Sequence, residues 1–159
     1  MGPGIVVKAC LQSAFSLMVF GWSQILIDIQ PLLVMLTDRG ELHGFSHTYI
    51  GATLIAIIAA PTGKYLGEFG LRFLRMPGYN PIRWRVAILS AFIGTYSHVF
   101  IDAIMHSDIR PFAPLSNQRA LHGLVSIEML HLLCIGSALV GAIAFVLIER
   151  HRNRKDSVE

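Results

Sequence analysis

Charge is scarce in this chain. Asp, Glu, Lys and Arg supply 14% of its 159 residues, against 53% hydrophobic residues and a mean hydropathy of +0.57. A soluble domain carries about a quarter of its residues as charges, so a surface wetted on all sides is excluded and part of it must face lipid. The formal net charge of +3 does not point to nucleic acid, because the basic residues sit at the ends of apolar runs and form no basic face. Cysteine is scarce too. Cys10 and Cys134 lie far apart, each inside an apolar segment, and read as small buried or lipid-facing residues. The chain has no internal repeat and no low-complexity segment, and its length fits one domain.

What it does have is apolar runs. Crossing the hydrocarbon takes about 20 such residues, and four segments meet or approach that length: 9–27, 48–66, 86–105 and 124–148. The first follows Lys8 as a signal peptide would. It is long and is closed by no small-x-small site, so it reads as a retained span. The expected fold is therefore all-α: a polytopic four-transmembrane-helix bundle in residues 1–150, followed by a basic tail over 151–159. Ten of the 13 Lys and Arg fall on one side, at Lys8, in the loop between spans two and three, and in the tail. Arg39, Arg110 and Arg119 fall on the other. The positive-inside rule then places both termini and the middle loop in the cytoplasm. The middle loop, GEFGLRFLRMPGYNPIRWR, reads as a short amphipathic segment lying on the cytoplasmic face.

This orientation sends the polar chemistry to the opposite, outer face. His98 and Asp102, in YSHVFID, are four residues apart and share one face of span three. A carboxylate in a span is costly and marks a polar cavity or a functional path. His106 follows one turn later, near the end of that helix. His43 and His47, in LHGFSHT, repeat the four-residue spacing at the mouth of span two, and such an imidazole pair can chelate one ion. Glu128 and His131, in SIEMLH, form the Glu-x-x-His pair with which some helical bundles hold metals. Asp28, in ILIDIQP, adds a carboxylate from the outer end of span one, before Pro31 restarts the chain. Neither Cys nor Met joins this set, which disfavours copper. Mixed imidazole and carboxylate suits zinc, manganese or iron.

The motifs IDIQP, GFSHT, YSHVFID and RPFAP resemble those of a family of bacterial inner-membrane proteins described as LexA-regulated, membrane-bound, metal-dependent hydrolases. That family shows P-D-I-D-H, then H-R-G-F-T-H-S, then S-H-x-x-x-D and a proline-bearing loop. The resemblance covers roughly residues 25–116. It implies that Asp28, His47, His98 and Asp102 hold the metal, and it gives the activity its direction, hydrolysis. The chain departs from the pattern at Gln30 and Pro31, where the family has an acid and a histidine, and at His43, which directly precedes Gly44.

The function that the resemblance implies for this metal site is a membrane metal-dependent hydrolase. His43, His47, His98, Asp102 and Asp28 are its metal ligands, Glu128 its general base or a ligand to a second ion, and His131 or His106 its general acid. A pocket at headgroup depth suggests a phosphoester of a lipid or a lipid-linked molecule as substrate, which would make it a phosphoesterase with membrane lipid as partner. The alternative is a non-enzymatic transporter or a metal- or proton-sensing protein using the same cluster. A polar path through the cytoplasmic half of the spans would favour that alternative, and little polarity is found there.

Overall fold

A computed structural model describes residues 2–76 and 80–156, and every regular element among them is helical. In chain order these are α1 (Gly2–Leu11), α2 (Leu17–Ile27), α3 (Ile29–Thr37), α4 (Tyr49–Phe73), α5 (Trp84–Met105) and α6 (Ile127–Asp156), with 3₁₀ turns at Gln12–Ala14 and Phe45–His47. Four stretches are long and apolar enough to cross a bilayer: Leu17–Thr37, Tyr49–Phe73, Trp84–Met105 and Ile127–Arg152. The all-α, four-span architecture expected from the sequence is present.

The boundaries differ most in the first span. The apolar run over 9–27 is not one helix. Phe15 is extended (φ −135°, ψ 135°), and Ser16 caps α2 by accepting from the Val19 N–H. Lys8 Nζ donates to the Gln12 and Phe15 carbonyls at 2.8 and 2.9 Å, satisfying oxygens that the break would leave bare. The span runs instead from Leu17 through Asp28 to Thr37, so Asp28 lies within it and not at its end. Pro31 does not restart the chain. It sits in the first turn of α3, where its missing N–H costs nothing, and the next amide, Leu32 N–H, bonds the Asp28 carbonyl at 3.0 Å.

At the other boundaries, residues 67–73 of the expected surface segment prolong α4, leaving Leu74–Met76 and residues 80–83 as linker; residues 77–79 lie outside the described residues. Leu124 falls in the turn before α6, and α6 continues through the start of the basic tail to Asp156.

Small residues let α2, α4 and α5 approach closely, the usual way helices associate in lipid. Ala52, Ala56, Ala59, Ala87 and Ala91 are fully buried. A Cβ on Gly94 would overlap Ser23 Oγ, and one on Gly63 would lie 2.9 Å from Trp22. Three hydrogen bonds between helices set the register. The Ser16 N–H donates to Ser90 Oγ at 2.9 Å, Gln24 Nε2 to the Gly94 carbonyl at 2.6 Å, and Trp22 Nε1 to Thr62 Oγ1 at 2.8 Å. Each such bond contributes on the order of 0.6 kcal/mol in a membrane helix bundle. α2 and α5 run in the same direction, which brings Asp28 level with His98 and Asp102. Near the far end of α4, Glu68 pairs with Lys64 and accepts the Ile82 N–H at 3.0 Å, tying the linker to the helix.

α6 stands apart from this trio and packs on α1. A Cβ on Gly2 would meet the Cys134 carbonyl, and one on Gly141 would lie 2.6 Å from Val6 N. Only 6% of its apolar stretch is fully buried inside the protein, so beyond the face that meets α1 the helix is largely exposed.

Candidate metal centre

Three elements deliver four potential ligands to one point. Asp28 is the hinge residue between α2 and α3 (φ −83°, ψ −2°). His47 ends the 3₁₀ turn that leads into α4. His98 and Asp102 lie on α5, about 10 and 5 Å short of its end at a 1.5 Å rise per residue.

The loop carrying His47 is held on several sides. Gln30 Oε1 accepts the Ser46 N–H at 2.8 Å, and Gln30 lies so close to Gly44 that a Cβ there would overlap its amide. Gln30, standing where the resembled family has an acid, therefore positions the His47 loop. Thr48 caps α4 by accepting the Gly51 N–H at 3.0 Å, and the Tyr49 N–H reaches the Pro111 carbonyl at 2.8 Å. This last bond ties the segment after α5 to the start of α4, and Ile109 and Pro111 of that segment are buried.

The four ligand atoms lie within 4.8 Å of one another. His98 Nε2 is 3.1 Å from Asp28 Oδ1 and 3.0 Å from Asp102 Oδ2. His47 Nε2 is 3.7 and 3.4 Å from the same two oxygens. Ligands at about 2.0–2.1 Å around a tetrahedral ion stand about 3.3 Å apart, and all four separations bracket that value. Both Nε2 atoms are buried without a hydrogen-bond partner, although carboxylate oxygens are near. The oxygens lie off the line along which an N–H would point. Two orphaned imidazole nitrogens facing two carboxylates fit a shared divalent cation, and two ionised carboxylates with two neutral imidazoles balance its charge.

The opposite ring nitrogens are engaged. His98 Nδ1 lies 3.1 Å from Gln24 Oε1, and His47 Nδ1 lies 2.9 Å from Ser46 Oγ. Because Gln24 Nε2 donates to Gly94, its oxygen faces His98 and can only accept. His98 thus donates from Nδ1 and turns Nε2 into the site, the ring orientation that a histidine binding metal through Nε2 requires. Exposure is graded across the cluster: the side chains of His47, His98, Asp102 and Asp28 are 0, 12, 19 and 53% exposed. The centre is closed on the His47 side and open at Asp28.

A second group meets the first at Asp102. His43, Asp102 and His106 offer ligand atoms within 4.8 Å of one another. The His43 and His106 rings stack at 4.4 Å, and His43 Nδ1 pairs with Asp108 Oδ2 at 2.8 Å. Partial burial raises the Asp108 pKa, but the hydrogen bonds from His43 and the backbone, together with the charges of His43 and His106, outweigh it and hold the carboxyl below its usual range.

Asp28, His43, His47, His98, Asp102 and His106 are thus brought together. Glu128 and His131 are not. Both are exposed on α6 and belong to neither group. Glu128 interacts with Ser126 and its own backbone, and His131 Nδ1 with the Ile127 carbonyl at 2.8 Å. The reason is the packing of α6 against α1, away from the α2–α4–α5 trio. The supporting residues Gln24, Ser46 and Asp108 were not among the expected site residues. Gln24 carried a signal, since it stands four residues before Asp28. Searches against protein-family models, curated proteins and solved structures find no match, so the functional argument rests on the geometry of these side chains.

Proposed function

We propose that the protein is an integral membrane metal-dependent hydrolase acting on phosphoesters of lipids or lipid-linked molecules at the outer face of a bacterial inner membrane. The observation that carries the reading is the convergence of His47, His98, Asp28 and Asp102 with both Nε2 atoms orphaned. A divalent ion held there supplies a Lewis acid and lowers the pKa of a bound water toward neutrality. Gln24 and Ser46 orient the two imidazoles, and buried His47 closes the back of the site to solvent.

Lipid as the substrate phase follows from the open side. Asp28 shares its helix face with Ile25 and Leu32, three residues before and four after it, and these are 58 and 50% exposed. A polar opening in an apolar stripe suits a substrate that carries both a phosphate and acyl chains.

Transport is less well supported. Below the site, Val19, Ala56, Ala59 and Val99 fill the bundle. The buried Ser23 and Thr95 hydroxyls are spent on the Phe20 and Phe92 carbonyls, and Ser90 accepts from Ser16. Farther along, the buried Lys64 and Glu68 pair with each other and Glu68 accepts the Ile82 N–H, so these polar groups too are engaged in packing contacts.

The test is hydrolysis of a panel of phosphomonoesters, phosphodiesters and phospholipids in mixed micelles with added zinc, manganese or iron. Metal-dependent turnover in the wild type, lost in His47→Ala and Asp102→Asn, is expected. A folded, metal-loaded wild type inert across the panel would remove the hydrolase reading.

A further inference from the structure

The four-ligand cluster leaves His43, His106 and Asp108 without an assignment. His43 is nearly buried, with a side chain 9% exposed. One of its ring nitrogens is taken by Asp108, which leaves the other as a donor. A carboxylate behind an imidazole is the usual support of a metal-binding histidine: it fixes the ring and raises its basicity. His106 stacks on His43, which places two imidazole donors side by side next to Asp102. Asp102 Oδ2 faces His47 and His98. A carboxylate has two oxygens, so a second donor on Asp102 remains for the His43 side.

We propose that His43, His106 and the second oxygen of Asp102 hold a second divalent ion, bridged to the first through the Asp102 carboxylate, with Asp108 as the positioning acceptor behind His43. The inference rests on the four-ligand site, because both ions share Asp102. Hard and borderline ions such as zinc and manganese suit its two nitrogens and one oxygen. Paired ions about 3.5–4 Å apart clamp both the attacking and the leaving oxygen in phosphoryl-ester cleavage. The three protein donors leave positions on the second ion for water or substrate. Its ligands differ in kind from those of the first site, with the carboxylate share reduced from two to the bridging one, so the second ion is held more weakly.

The experiment uses the full-length protein in detergent, titrated with manganese and followed by equilibrium dialysis and by electron paramagnetic resonance. The wild type is expected to take up two ions per chain in two steps, and the second is expected to produce the signal of an exchange-coupled pair. His106→Ala and His43→Gln should each bind one ion. That retained ion shows that the fold and the first site survive. Asp108→Asn should keep the first step and weaken the second by tenfold or more. One ion in the wild type and in His106→Ala alike would refute the second site while leaving the first intact. Two ions without exchange coupling would refute the bridge. No binding in the wild type would overturn the four-ligand site as well, and so separates that failure from this one.

Discussion

Replacing Gln24 by Leu probes the claim that the bundle sets the state of its own ligand. The side chain is of similar size and leaves the helix contact filled, but it removes the oxygen that accepts from His98 Nδ1 at 3.1 Å and the donor to the Gly94 carbonyl at 2.6 Å. The carbonyl keeps its helical bond, so the main loss falls on His98. Its Nδ1–H then has no acceptor inside the bundle, which costs about 1–3 kcal/mol. The ring can avoid that cost by moving its proton to Nε2, where the proton competes with the ion. Either route weakens binding, and at about 1.4 kcal/mol per decade the expected loss is about 10–100-fold, the range found for second-sphere partners of metal-binding histidines. The assay is zinc affinity by competition with a chelator of known strength, with thermal denaturation in detergent as the control for folding. An affinity within twofold of wild type, in a variant that melts normally, would refute the reasoning.

Other consequences are simpler to state. Gly94→Ala forces a methyl group onto Ser23 Oγ, and overpacking of this kind is expected to destabilise by about 1–3 kcal/mol. Adding Ser23→Ala should recover part of the loss in a thermal melt, whereas additive losses would mean that the two residues do not meet. Lys64→Met leaves the Glu68 carboxylate buried without its cation, a change expected to destabilise by about 3–5 kcal/mol. The double variant with Glu68→Gln, which retains an acceptor for the Ile82 N–H, should be more stable than the single one. Glu128→Gln and His131→Ala should leave metal stoichiometry and affinity unchanged, because both side chains are exposed on α6, outside the two ligand groups. A tenfold loss of affinity in either would return α6 to the site.

The spans and the core of the site were readable because they depend on short-range pattern. Apolar length gives the helices, and the four-residue spacing of His98 and Asp102 gives one shared face. Placing His47 and Asp28 opposite them required only that helices of one handed-down orientation bring their polar ends to the same side. The rest depends on contacts that periodicity does not encode. The break at Phe15 and Ser16 falls where Gln12, Ser13 and Ser16 interrupt the apolar run, but uncharged polar residues are common within a span and do not by themselves mark a cap and a single extended residue. Glu128 and His131 had the right spacing on the right helix, but spacing says nothing of which helix lies alongside, and α6 packs on α1. Gln30 looked like a lost acid and is a clasp on the His47 loop. Gln24, Ser46 and Asp108 act through a neighbouring histidine, and such roles appear only once the rings have positions.

The most direct test of the metal centre is X-ray absorption on the purified protein reconstituted with one equivalent of zinc. The predicted spectrum shows nitrogen and oxygen ligands at about 2.0–2.1 Å, outer-shell scattering from two imidazoles, and no sulfur, and the two-imidazole signal should drop to one in His98→Ala. Zinc that remains hydrated, or a ligand shell unchanged by that substitution, would contradict the assignment.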